Sequence, residues 1–174
     1  TDIPLAELLP IAVDKEGFWW KRAVLLLQKI RTTFHGRILP FSFDFHTNLD
    51  LLLSIRGDAN LCLDTIDCPE VIDRALEYTN LVFQELWELF VRESGCMAYG
   101  FYFDGYSEKP TTSLACDFSA LISREMFRRW GVPALEFEAG LVGERTIYHW
   151  DGPAALKHMD ALCGIHNIHT FRYV

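Results

Sequence analysis

The sequence predicts one α/β domain built on a parallel sheet. Three observations carry that expectation. Segments of helical period alternate with short strand-like segments along the chain, which is the pattern of βαβ units. Several of the expected strands stop at Asp or His just before a helix, where parallel α/β enzymes keep their chemistry. Half of the 174 residues are hydrophobic and 14% are aromatic, enough for one packed core and unlike a disordered chain. No linker, repeat or low-complexity run divides residues 1–174.

Residues 1–14, with Pro4 and Pro10, read as a loop or a short helix. Between Glu16 and Phe34 the residues Phe18, Ala23, Leu26, Leu27, Ile30 and Phe34 keep helical spacing, and Gly36 suits the stop. Residues 37–46 are strand-like, with Phe41, Phe43 and Phe45 on one face. Thr47 and Asp50 resemble a capping box for a helix over 49–55 that Gly57 closes. A short helical piece is expected over 60–64. Asp67 then caps the longest helix, with Pro69 in its first turn and Gly95 at its end. Its apolar stripe runs Ile72, Ala75, Leu76, Thr79, Phe83, Leu86, Trp87 and Phe90.

Residues 96–104 read as a strand ending in Asp104, and 105–110 as a turn-rich loop. Residues 111–116 are extended again and end at Asp117. Ser123 caps a helix from Arg124 to about Trp130, continued past Pro133 to Glu138. Thr146, Ile147 and Tyr148 favour a strand that reaches His149 and Asp151. Gly152 and Pro153 turn it into a helix over 154–162, and 167–174 form a last strand.

The net charge of −8 lacks the basic face that nucleic acid requires. No apolar run is long enough for a membrane span and no signal-peptide pattern occurs, so a cytoplasmic protein is expected. The five cysteines (Cys62, Cys68, Cys96, Cys116, Cys163) contain no Cys-x-x-Cys. They read as buried free thiols, in keeping with a reducing compartment. Glycine-rich phosphate cradles and the Gly-x-Ser-x-Gly elbow are absent, which removes the main support for kinase, dehydrogenase and serine-hydrolase readings.

The central site candidates are His149 and Asp151. Two positions apart on a strand, they face the same way and suit a shared metal ion or the polarisation of a substrate. The plainer alternatives are a hydrogen-bonded core imidazole and a helix-start acceptor. Asp44 and His46 share a face at the end of the first strand-like segment, where they join a site or cap the next helix. Asp117 offers a carboxylate for a substrate cation or for general-base work, or else caps the helix after it. Tyr102, Asp104 and Tyr106 surround the next strand end, in a turn where Asp commonly serves the turn itself. His158, His166 and His169 lack ligand spacing and read as structural.

Asp117-Phe118-Ser119-Ala120-Leu121-Ile122-Ser123-Arg124-Glu125-Met126-Phe127, followed by Pro133, resembles the Asp…Ile-Ser-Pro-Glu-Met-Phe…Pro signature of the uroporphyrinogen decarboxylase superfamily, with Arg124 in place of Pro. Tyr148 to Leu156 resembles the His-x-Asp-Gly-Pro segment of its uncharacterised bacterial members. Asn48-Leu49-Asp50 through Arg56-Gly57, and Asp64 through Leu76, resemble two of its helices. The matches follow in order over residues 37–174. The resemblance implies a (β/α)8 TIM barrel, which typically needs about 250 residues. This chain would then be the middle part, a parallel-stranded partial barrel. Its open edges would be covered in a homo-oligomer or by the rest of a barrel.

The resemblance implies two chemistries. In the methyltransferase branch a zinc ion activates a thiol acceptor and a corrinoid on a partner protein carries the methyl group. Its His-x-Cys ligands fall on His149 and Asp151, where the carboxylate stands in for thiolate and would admit zinc or another divalent ion. Asp117, His149 and Asp151 are then the catalytic residues, and Asp44, His46, Tyr102, Asp104 and Tyr106 the substrate contacts. The decarboxylase branch acts on a tetrapyrrole without a cofactor. A third alternative is a non-catalytic chain that keeps the fold.

Overall fold

Helix outweighs sheet in this chain. The computed structural model describes residues 2–143 and 145–174. A turn of 3-10 helix at Leu5–Glu7 precedes α1 (Phe18–Phe34), α2 (Asn48–Arg56), α3 (Asp58–Asp67) and α4 (Pro69–Ser94). A single turn, α5 (Cys96–Tyr99), leads into β1 (Phe101–Tyr102), β2 (Tyr106–Ser107) and β3 (Ser113–Leu114). A 3-10 turn at Asp117–Leu121 is followed by α6 (Arg124–Met126), a π-helical turn at Phe127–Gly131 and α7 (Val132–Val142). The chain continues through β4 (Thr146–Trp150), a 3-10 turn at Pro153–His158, α8 (Met159–Leu162) and β5 (Ile168–Tyr173).

The expected partial TIM barrel is not formed. Among the described residues the parallel sheet has three strands in the order β3-β4-β5, and β1 and β2 make a separate antiparallel pair. Two of the expected strands account for the difference. In residues 37–46, Phe45 makes a single parallel bridge to Leu114 and no ladder follows. In residues 96–104, the left-handed Gly95 is followed by one more helical turn instead of a strand. Met97 and Ala98 are good helix formers, and Gly100, at φ 97°, ends that turn. Only the two residues β1 remain, and they pair with the hairpin and not with the parallel sheet.

The core forms around α4. Its buried stripe runs from Val71 through Ile72, Ala75, Phe83 and Trp87 to Phe90, and α1, α2, α3 and α7 pack on it. Each large side chain so buried contributes roughly 1.5–3 kcal/mol. The stripe also fixes residues 41–46. Phe45 meets Phe83 at 5.2 Å and Trp87 at 6.1 Å, and Phe43 meets Phe90 at 5.7 Å. Aromatic packing thus compensates for the missing ladder.

Register then sorts the sheet into two faces. Phe45, Leu114, Tyr148 and Phe171 lie side by side across the strands. Phe45, Leu114 and Tyr148 are almost wholly buried. Their neighbours in sequence, Asp44, His46, Ser113, His149 and Arg172, alternate to the opposite face. The β1–β2 hairpin lies over that face, with Phe103 and Tyr106 lining a cleft of about 660 Å³ together with Ile147 and Thr170.

Gly100 lets the hairpin sit there, because a Cβ at this position would collide with the Tyr106 ring and φ is 97°. Gly100→Ala should therefore cost about 2 kcal/mol or more. A lowered thermal midpoint with loss of the Tyr106 ring-shift signature in NMR is the expected result.

Two expected caps are not made. The Thr47 side chain bonds to Glu138 and does not cap α2. Asp67 is the last residue of α3, and Cys68 precedes α4 without a side-chain cap bond. Ser123 does cap, its Oγ accepting from the Met126 N–H at 3.2 Å. All five cysteines are free; Cys96 and Cys116 are buried, and Cys163 is exposed. No helix among the described residues is long and apolar enough to cross a membrane.

Candidate functional site

The site is built where the bridged segment turns into α2. Phe45 is locked under the sheet, so Asp44 and His46 on either side of it face the other way. The chain then reverses through Thr47 and Asn48, and Asn48 takes the left-handed conformation at φ 51°. Asn is one of the few residues that adopt it readily. This turn sets Asp50, in the first turn of α2, against His46.

His46 is surrounded by carboxylates. Its Nε2 lies 3.3 Å from Asp44 Oδ2, and its Nδ1 lies 3.4 Å from Asp50 Oδ2 and 4.0 Å from Asp117 Oδ2. Asp50 is buried and immobilised, because its two oxygens accept hydrogen bonds from the backbone N–H groups of Asp117 and Phe118, each at 2.9 Å. One carboxylate therefore joins α2 to the 3-10 turn that follows β3. The hydrogen bond to Asp50 pushes the His46 imidazole up to about 9, with the charges of Asp44, Asp50 and Asp117 adding to it against a burial that works the other way. Asp117 is raised above the usual carboxylate range, first by burial and then by the charge of Asp50.

Behind this layer lies Glu138 of α7, fully buried. It accepts from the Thr47 hydroxyl and, at 3.2 Å on each oxygen, from Asn48 Nδ2. Asn48 Nδ2 also donates to the Ala115 carbonyl at 2.9 Å. Burial is the main cause that pushes the Glu138 carboxyl up to about 8. Glu138 thus grips Thr47 and Asn48, two of the three residues between His46 and Asp50.

Of the residues expected at the site, Asp44, His46 and Asp117 meet directly. His149 joins them as a wall of a cavity of about 200 Å³ that Asp44 and His46 also line. Asp151 is exposed at the end of β4, close enough for its charge to act on Asp117. Tyr102, Asp104 and Tyr106 belong to the hairpin instead. Tyr102 and Tyr106 are cross-strand partners and both exposed. Asp104 accepts from Arg172 Nη1 at 2.6 Å.

Sequence reasoning missed the roles of Asp50, Asn48 and Glu138. Asp50 stands four residues after His46, one helical turn away, which is a usable signal. A carboxylate at Glu138, one of two inside the otherwise apolar run Ala134-Leu135-Glu136-Phe137-Glu138-Ala139, is another.

Among the described residues, His46, Asp50 and Asp117 each offer one ligand atom, all within 4.8 Å of one another. Two ligands bound about 2.0–2.2 Å from one ion stand roughly 3–4 Å apart, so the His46 to Asp50 and His46 to Asp117 separations suit a shared cation. The group does not include His149 or Asp151. One imidazole with two carboxylates is a harder set than one containing thiolate, and it suits manganese or magnesium as well as zinc. Comparison with protein-family models, curated proteins and solved structures finds no match to this chain.

Proposed function

We propose that the chain carries a metal-assisted enzyme site in which His46, Asp50 and Asp117 hold one divalent cation. The convergence of these three ligand atoms within 4.8 Å, beside a cavity that reaches His149, carries the reading. Asp50 is held by two backbone N–H groups, so one ligand is oriented before any ion arrives. Such an ion polarises a substrate carbonyl or lowers the pKa of a bound water or thiol. The methyl-transfer chemistry implied by the resemblance belongs here, with a thiol activated at the cation and a corrinoid partner as methyl donor. The metal is assigned to His46 and its carboxylates, and His149 and Asp151 take positions beside it.

Titration of the protein with zinc and with manganese tests this. Asp117→Asn and His46→Gln should abolish binding, while His149→Ala and Asp151→Ala should leave it within a few-fold of wild type. Because the His46 ring is held protonated up to about 9, the ion must displace a proton. Affinity should therefore rise with pH between 6 and about 9, with proton release on binding. Calorimetry in two buffers of different ionisation enthalpy measures that release. No binding of either ion, or binding that survives Asp117→Asn, would sink the reading.

One observation favours a metal-free second reading. His46 already lies between Asp44 and Asp50 at 3.3 and 3.4 Å, an imidazolium satisfied by carboxylates. In that case Asp117, raised by burial, serves as the proton donor of a decarboxylase-like reaction.

A further inference from the structure

We propose that the cavity beside His46 binds a small organic carboxylate, its charged end at Arg172 and Ser113 and its apolar part against Phe41 and Phe103. The inference rests on reading the His46 cluster as an enzyme site, and it names the substrate class of that site.

Ser113 provides the first argument. It is 5% exposed, and its Oγ has no hydrogen-bond partner. Buried hydroxyls in native proteins are nearly always bonded. Ser113 is among the residues that line the cavity, and a ligand oxygen that reaches its enclosed hydroxyl would satisfy it. The second argument is Arg172, the register partner of His149 on the adjacent strand. Its Nη1 is taken by Asp104 at 2.6 Å, which orients the guanidinium from the hairpin. The rest of the planar fork keeps donors in the geometry that matches a carboxylate.

The third argument is shape. Phe41 and Phe103 wall the cavity with ring centroids 4.4 Å apart, which offers an apolar surface to the rest of the molecule. About 200 Å³ is below the usual range of drug-sized pockets, roughly 300–1,000 Å³, so the ligand is small. Asp44 also lines the space, 3.3 Å from the His46 ring that it shares with Asp50 and Asp117.

The test is an NMR titration of the chelator-treated full chain with benzoate, followed on the His149 ring signals. Saturable binding is expected, at least about tenfold tighter than for neutral benzamide, which lacks the charge-assisted bonds. Arg172→Gln should weaken benzoate about tenfold or more. Ser113→Ala should weaken it several-fold without lowering the thermal midpoint, because it removes an unsatisfied hydroxyl; a merely structural serine would lower the midpoint and spare the affinity. Absence of saturation, equal binding of benzamide, or affinity unchanged in both variants would overturn the proposal. A manganese titration of the same samples separates the two readings. Manganese bound without benzoate removes only the carboxylate site, and benzoate bound without manganese removes only the metal.

Discussion

Glu138→Gln should make the protein more stable at pH 8 and flatten the dependence of its stability on pH. The Glu138 carboxyl is pushed from 4.5 to about 8 by burial. Between those values the folded chain holds a proton that the unfolded chain has released. Stability from this group is therefore greatest below pH 4.5 and falls as pH rises to about 8, by several kcal/mol in all. Glutamine stays neutral throughout and still accepts from Thr47 or Asn48, so the fall should largely vanish. Denaturant unfolding of both proteins at pH 5, 7 and 8.5 measures the slopes. His46 adds a second window of the same sign. Its imidazole is raised from 6.5 to about 9, so its contribution is complete below 6.5 and lost as pH passes 9. That part is smaller because the ring is half exposed, and it should persist in Glu138→Gln. Identical slopes in the two proteins would mean that Glu138 is ionised in the folded state.

Asp50→Ala should be the most damaging single change at the site. It removes the acceptor of two backbone N–H groups, those of Asp117 and Phe118. Each buried donor left unpaired costs about 1–3 kcal/mol, so a loss of about 2–5 kcal/mol is expected. The same change removes the strongest support of the His46 proton, and the imidazole should titrate closer to 6.5. Asp50→Asn retains one acceptor and should lose about half as much. Thermal unfolding and a histidine NMR titration read the two effects separately. A variant that unfolds like wild type would mean that the 3-10 turn at Asp117–Leu121 is held by other contacts.

The parts of the fold that were legible are those specified locally. α1 and α4 begin and end within about two residues of the spacing and caps that predict them. β4 and β5 are also where the strand-favouring Thr146, Ile147 and Tyr148 and the closing segment 167–174 place them. The failures lie where pairing depends on distant residues. The expected single face of Phe41, Phe43 and Phe45 breaks at Phe41, which is exposed and packs on Phe103 beside Asp44 and His46, while Phe43 and Phe45 pack on α4; Pro40 also cannot donate to a ladder. Residues 96–101 read as a strand too, but Gly95 and Gly100 frame a helical turn. A motif resemblance records the order of elements, and closing a barrel depends on strands that must find each other across the chain. The site divides in the same way. Asp44, His46, Asp117 and His149 were legible as polar residues at strand ends. The partners that make a centre of them were not, because Asp50 bonds to a residue 67 positions away and Asn48 to one 90 positions away.

The single bridge at Phe45 has a thermodynamic consequence. Residues 41–46 are held by that bridge, by the buried Ser42–Thr112 hydroxyl pair at 2.7 Å and by aromatic packing, so they form a small unit able to open while the rest of the chain stays folded. Opening takes Asp44 and His46 away from Asp50 and Asp117, which stay joined through the backbone of the 3-10 turn. An ion bound to His46, Asp50 and Asp117 recognises only the closed form. It therefore stabilises closure by RT ln(1 + [L]/Kd). Occupancy and local order become one linked equilibrium, in which a cation fastens to the sheet a segment that one backbone bridge and one hydroxyl pair hold there.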